Sequence, residues 1–252
     1  MSGIAWFPAE SRATCGVLTL SVEQRRTAYL ANPRSESEPT MTQSVAGVEI
    51  HDTEAAADTN RLVHETSSPL LYHHSRRTFL FAALHARRLA LEPDFELLYI
   101  ASMFHDVGLH TPFSDKVQRF ETDGADHARR FLLEHGFPDE AADIVWQAVA
   151  LHSTPEIPVR MRPEIALTSL GVLTDVVGLG VNDLHPEAIA EVVATHPRGE
   201  FKQGFIRALH DGVQHRPQTT YGAISADALE HHSPGFPRIN LVERIMTSPW
   251  AV

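Results

Sequence analysis

The chain holds one cysteine, Cys15, in 252 residues. A single thiol excludes an internal disulfide and fits a reducing cytoplasm, which is the expected compartment. No run approaches the ~18 apolar residues of a membrane span. The N-terminus lacks the basic start and apolar core of a secretory signal. Positive charge is scarce as well: 21 Lys and Arg stand against 32 Asp and Glu, a net charge of −11. That balance argues against nucleic acid or an anionic membrane as the main partner, since both require basic patches. A small-molecule substrate is expected instead, and a small anion met by a local cation stays open. Period-two alternation is missing, and so is any internal repeat. What the chain has is apolar residues at helical spacing, 43% hydrophobic content and enough length for a full core.

Residues 1–58 read as an N-terminal extension with little order, and residues 59–252 as the folded domain. Arg34 to Thr40 is a polar linker, and Met41 follows at once. The first 40 residues could be an extension from an upstream start, or an arm docking through Ile4, Trp6 and Phe7. From Thr59 onward the pattern is helical. A helix over 73–90 carries Phe79, Leu80, Ala83 and Leu84. The next starts at Pro93-Asp94 and runs to Val107. A polar loop covers 108–120. Asp123 or Gly124 opens a helix that closes near Gly136, and Pro138-Asp139-Glu140 opens one running toward His152. Further helices are expected at 163–178, 186–195, 200–214, 222–232 and 238–247. The class is all-α.

Histidine is abundant, at 16 residues. Three His-Asp dipeptides occur: His51-Asp52, His105-Asp106 and His210-Asp211. Only the second follows a run of residues that are nearly all apolar or small, Leu97 to Phe104. A helix buried on most of its surface rarely carries His beside Asp without partners for both. Neighbouring residues on a helix point about 100° apart. The pair can therefore close on one metal ion if other helices supply further ligands. His210-Asp211 lies on an amphipathic helix that points Phe201, Phe205, Leu209 and Val213 inward, and it reads as a decoy.

The flanking segments are His74-Ser75-Arg76-Arg77 upstream, then Leu151-His152-Ser153-Thr154-Pro155 and Leu173-Thr174-Asp175-Val176-Val177-Gly178 downstream. This order of His, His-Asp and Asp resembles the HD-domain superfamily of metal-dependent hydrolases. Within it the chain is most similar to the cyanamide hydratase family, through Phe120 to Ala125, the Leu-His-Ser-Thr-Pro and Leu-Thr-Asp-Val-Val-Gly segments, and Thr219-Thr220-Tyr221-Gly222. The resemblance spans about residues 60–250. It implies a helical bundle of roughly eight to ten helices. It makes His74, not His73, a metal ligand, together with His105, Asp106 and Asp175. One divalent ion is implied, zinc first, with iron, manganese or nickel as alternatives. Two imidazoles and two carboxylates can hold such an ion and leave a position for water.

His152 could be a further ligand, a second-metal ligand, a proton donor, or only a helix C-cap. Glu121 and Asp126 could hydrogen-bond water at the metal, or simply sit at a helix N-terminus. His127 matches a position where two-metal relatives carry His, too loosely to count as a ligand. Lys116 and Arg119 are the nearby cations able to grip an anion. Tyr221 could merely pack, and Arg76-Arg77 and Arg87-Arg88 read as solvated helix face. The resemblance implies hydration of a small nitrile such as cyanamide, with Asp106, Glu121 and His152 as catalytic groups. The rival expectations are a phosphohydrolase gripping phosphate through Lys116 or Arg119, and a non-catalytic metal-binding sensor. A homo-oligomer is possible.

Overall fold

The structure, a computed structural model, describes residues 44–50 and 52–249. The expectations for residues 1–43 and for His51 fall outside the described residues. Those residues hold ten α-helices and one two-stranded hairpin, an all-α fold as expected. The hairpin pairs β1 (Ser44–Val45) with β2 (Val48–Glu49). Ala46 and Gly47 turn it with φ of 51° and 72°, the left-handed pair that matches hairpin twist. Val45 and Val48 join the main core. Arg87 donates to the Gly47 carbonyl at 2.6 Å. Packed structure therefore begins ahead of residue 59, and α1 spans Glu54–Thr66.

Helix α2 (Pro69–Leu89) starts at Ser68, whose hydroxyl accepts from Leu71 N–H, with Pro69 in the first turn. Helix α3 (Phe95–Phe104) is capped by Asp94, which accepts from Glu96 and Leu97 N–H. All its residues from Leu97 to Phe104 are buried. Such a helix runs through the core and does not line its edge. It ends three residues before the expected Val107. His105 still has helical angles, whereas Asp106 leaves them at φ −107°, ψ 2°, and a 3-10 turn, Val107–Leu109, follows. The cause is a close approach: a Cβ on Gly108 would sit 2.0 Å from the Phe120 carbonyl oxygen.

Helix α4 (Phe120–Glu134) opens three residues ahead of the expected Asp123, and α5 (Asp139–Leu151) leads to His152. Helix α6 (Pro163–Val177) stops at Gly178, φ 77°. It packs along α2 so tightly that a Cβ on Gly171 would lie 2.3 Å from the Thr78 carbonyl oxygen. One turn along from this crossing, Asp175 meets His74 and Arg77. Helices α7 (Pro186–Thr195), α8 (Phe201–Val213), α9 (Ala226–His232) and α10 (Leu241–Met246) complete the set. No helix among the described residues is long and apolar enough to cross a membrane.

Candidate metal centre

His74 comes from α2, His105 and Asp106 from the end of α3, and His152 from the end of α5. All four are buried. The last turn of a helix leaves carbonyls without intrahelical partners. His105 Nδ1 turns back to the Ser102 carbonyl at 2.7 Å, and His152 Nδ1 to the Val149 carbonyl at 2.7 Å. His74 Nδ1 meets the Asp175 carboxylate at 2.7 Å. Carbonyls and ionised carboxylates only accept, so each Nδ1 carries its hydrogen and each Nε2 is left with a lone pair.

Those lone pairs converge. His74 Nε2 and His105 Nε2 lie 3.1 Å apart. Asp106 Oδ2 is 3.2 Å from the second and 3.6 Å from the first. His152 Nε2 is 3.8 Å from Asp106 Oδ1. Asp106 Oδ2 is buried and has no hydrogen-bond partner. Two imidazole lone pairs face each other beside an unpartnered carboxylate oxygen. Neither imidazole can donate to the other in this tautomer, so the arrangement is complementary to a cation. His74, His105 and Asp106 offer three donor atoms within 4.8 Å of one another, the metal-ligand grouping found among the described residues. Nitrogen and oxygen donors of this kind suit a divalent ion.

The electrostatics agree. Burial alone raises the Asp106 carboxyl, yet the imidazoles of His105, His74 and His152 outweigh it and hold Asp106 well below the usual carboxylate range. Burial opposes a charge on His105, but Asp106 prevails and pushes that imidazole up. Burial dominates at His74, which is pushed down, and at His152, which falls to about 4. His105 and Asp106 thus attract positive charge, and His152 stays a neutral base.

Asp175, expected as a fourth ligand, has other partners. One oxygen takes His74 Nδ1 and Arg77 Nη2, the other takes Arg77 Nε at 2.8 Å, and Arg198 also donates to it. In this arrangement Asp175 fixes the His74 ring and tautomer from behind, the usual work of a group outside the metal's own ligands. Burial raises its carboxyl, but hydrogen bonds from His74 and Arg77 hold it far below normal. Arg76 and Arg77, read as solvated, are 4% and 0% exposed. Arg77 is buried because it neutralises Asp175, and Arg76 because it donates to Tyr99 and Asn60. The spacing of three between His74 and Arg77 was the available signal, since such residues share a helix face.

Glu121 is buried and accepts from Ser153 Oγ at 2.6 Å and Arg119 Nη2 at 2.7 Å. Burial raises its carboxyl, and Arg119 more than reverses this. Arg119 is therefore committed to Glu121, and Lys116 is exposed. Asp126 is exposed and accepts from Trp146. His127 stacks edge-on with Phe113 and meets Arg130. His210 Nδ1 bonds Asp211 and its Nε2 bonds Ser233, apart from the cluster. Tyr221 lies under the Arg244 guanidinium at the surface.

Above Asp106 and His152 lies a cavity of about 110 Å³. Phe120, Val172, Leu173, Val176, Phe205 and Leu209 make most of its wall, and Ser153 and Ser225 are its polar additions. Ser153 carried no signal of its own in the sequence; it is found only because the turn after α5 aims it at both the cavity and Glu121.

An all-α fold with a buried His-His-Asp centre defines a helical metal-binding protein. Residues 71–189 match the family model described as HD domain, and that stretch contains every residue of the centre. The match supports placing this stretch in the HD superfamily, whose domains bind divalent metals and are typically metal-dependent hydrolases. Among curated proteins no significant sequence match is found.

Proposed function

We propose that the protein is a metal-dependent hydratase that adds water to a small neutral nitrile, with cyanamide the first candidate and zinc the first candidate metal. The observation that carries this reading is the cavity. It is small and apolar, and no Lys or Arg lines it among the described residues. A phosphoester brings negative charge that must be paired where water is excluded. The two cations expected to do so are placed elsewhere: Arg119 holds Glu121, and Lys116 faces solvent. The family match by itself favours the second reading, phosphoester hydrolysis, because hydrolysis is the typical activity of HD domains.

A divalent ion, when bound, supplies activation of water toward attack at neutral pH. The chain supplies the rest. His74, His105 and Asp106 would hold the ion, and Asp175 with Arg77 keeps the His74 ring aligned. The apolar walls exclude bulk water. In hydration, the water oxygen bonds to the nitrile carbon, both hydrogens finish on nitrogen, and C=O replaces the carbon–nitrogen π bonds. Nothing leaves. His152 Nε2, neutral and facing the cavity, can carry a proton toward that nitrogen. Ser153 joins the cavity to Glu121 and offers a second path.

Purified protein loaded with zinc should convert cyanamide to urea and leave phosphoesters intact. Zinc-loaded protein that ignores small nitriles, yet releases phosphate from a nucleotide with dependence on Lys116 or Arg119, would overturn the reading.

A further inference from the structure

We infer that Ile224 is the size gate of the substrate chamber, and that the substrates are short, neutral, apolar-tolerant nitriles; this rests on the proposed hydratase reading. Two cavities meet at this residue. The chamber over Asp106 and His152 is about 110 Å³, and a groove of about 570 Å³ runs past Pro155, Pro217, Tyr221 and Phe236. Ile224 lines both. A water's share of liquid volume is ~30 Å³, so the chamber accommodates a nitrile of roughly three to five non-hydrogen atoms. The groove would take a ring or a longer chain.

The other walls are fixed by the fold. Phe120 and Leu209 pack in one apolar cluster and Phe205 in another. Val172, Leu173, Val176 and Val177 stand on α6, which also carries Asp175. Val177 is 69% exposed but is held in the last turn of α6, whereas Ile224, 50% exposed and in none of the buried clusters, sits outside any helix, in the turn between Pro217–Thr220 and α9. Its side chain can therefore be trimmed or enlarged with little cost to the core.

The test compares wild type, Ile224→Ala and Ile224→Phe, all zinc-loaded, on cyanamide, propionitrile and benzonitrile. Thermal melting confirms that each variant is folded. Ile224→Ala should raise kcat/KM for benzonitrile relative to cyanamide at least tenfold, mainly through KM, and Ile224→Phe should shift the ratio the other way. In parallel, calorimetry measures binding of acetamide and benzamide, neutral amides of the product class. Ile224→Ala should tighten benzamide at least tenfold while acetamide changes little. If wild type hydrates no nitrile but the amide preference still switches, the hydratase reading fails and the gate stands. If neither the rate ratio nor the amide preference moves in folded variants, the gate is overturned.

Discussion

At the scale of single residues, two His-Asp pairs share one sequence and differ in surroundings. Asp106 has an oxygen buried without a partner, while Asp211 is exposed beside His210 and Gln214. Asp106→Ala should lose bound metal by elemental analysis and lose activity, and Asp211→Ala should keep both; the reverse result would show the wrong pair was chosen. His85 allows a pH prediction away from the centre. It is fully buried against Thr174, and burial pushes it down to about 4. The unfolded chain takes up the proton near 6.5, and the folded chain refuses it until about 4. The stabilising contribution is therefore complete above about pH 6.5 and is lost as pH falls toward 4. Between pH 7 and 5 the loss should be about 1–2 kcal/mol. Unfolding curves of His85→Gln should show a smaller loss over that interval, and an identical loss would refute the assignment. His105 and Asp106 were legible because burial of His and Asp in an apolar helix demands a partner, whereas His74 was set apart from His73 only by the resemblance. Arg77 was not, because an arginine reads as solvated until the acid it neutralises is located.

At the scale of elements, most helices lie close to the expected ranges, because apolar spacing and the Pro, Asp and Gly signals mark their ends. The end of α3 was misread, because apolar periodicity continues through Val107 while the backbone does not. Contact with Phe120 bends the chain there, and no local pattern reports a contact twelve residues away. The same bend turns the Asp106 carboxylate out of the helix and toward His74. Arg216 secures it: fully buried, it donates to the carbonyls of Gly108, Asp115 and Gln118 and to the Asp123 carboxylate. Gly108→Ala has no room for its methyl and should cost more than about 2 kcal/mol, the range of overpacking damage. Arg216→Met leaves the buried Asp123 without its cation, with only Asp115 N–H and Gln118 Nε2 still donating to it, and a broken buried pair typically costs about 3–5 kcal/mol. Urea unfolding of both variants checks these values. Loss of less than about 1 kcal/mol in either would show that the loop after α3 is not held by these contacts.

At the scale of the whole molecule, the centre draws on three separate helices, so occupancy of the site and folding are linked. His74 rides on α2, His105 and Asp106 end α3, and His152 ends α5; unfolding scatters all four. A ligand that binds only the folded state stabilises it by RT ln(1 + [L]/Kd), about 2.7 kcal/mol at a hundredfold excess over Kd. For a chain of this size each 1 kcal/mol moves Tm by about 2–4 °C. Metal-stripped protein given zinc at that excess should therefore gain about 5–10 °C, measured by calorimetry with a chelator control. Asp106→Ala removes one of the three converging donors and should show little of this gain, even where its metal-free Tm stays close to wild type. Asp211→Ala should show all of it. Arg77→Met tests the supporting layer: without Arg77, Asp175 keeps His74 and Arg198 but loses its two-pronged clamp, so the metal-free protein should melt lower while a reduced zinc response persists. A zinc response equal in wild type and Asp106→Ala would mean that the stabilising ion binds elsewhere, and the centre described above would lose its claim to the metal.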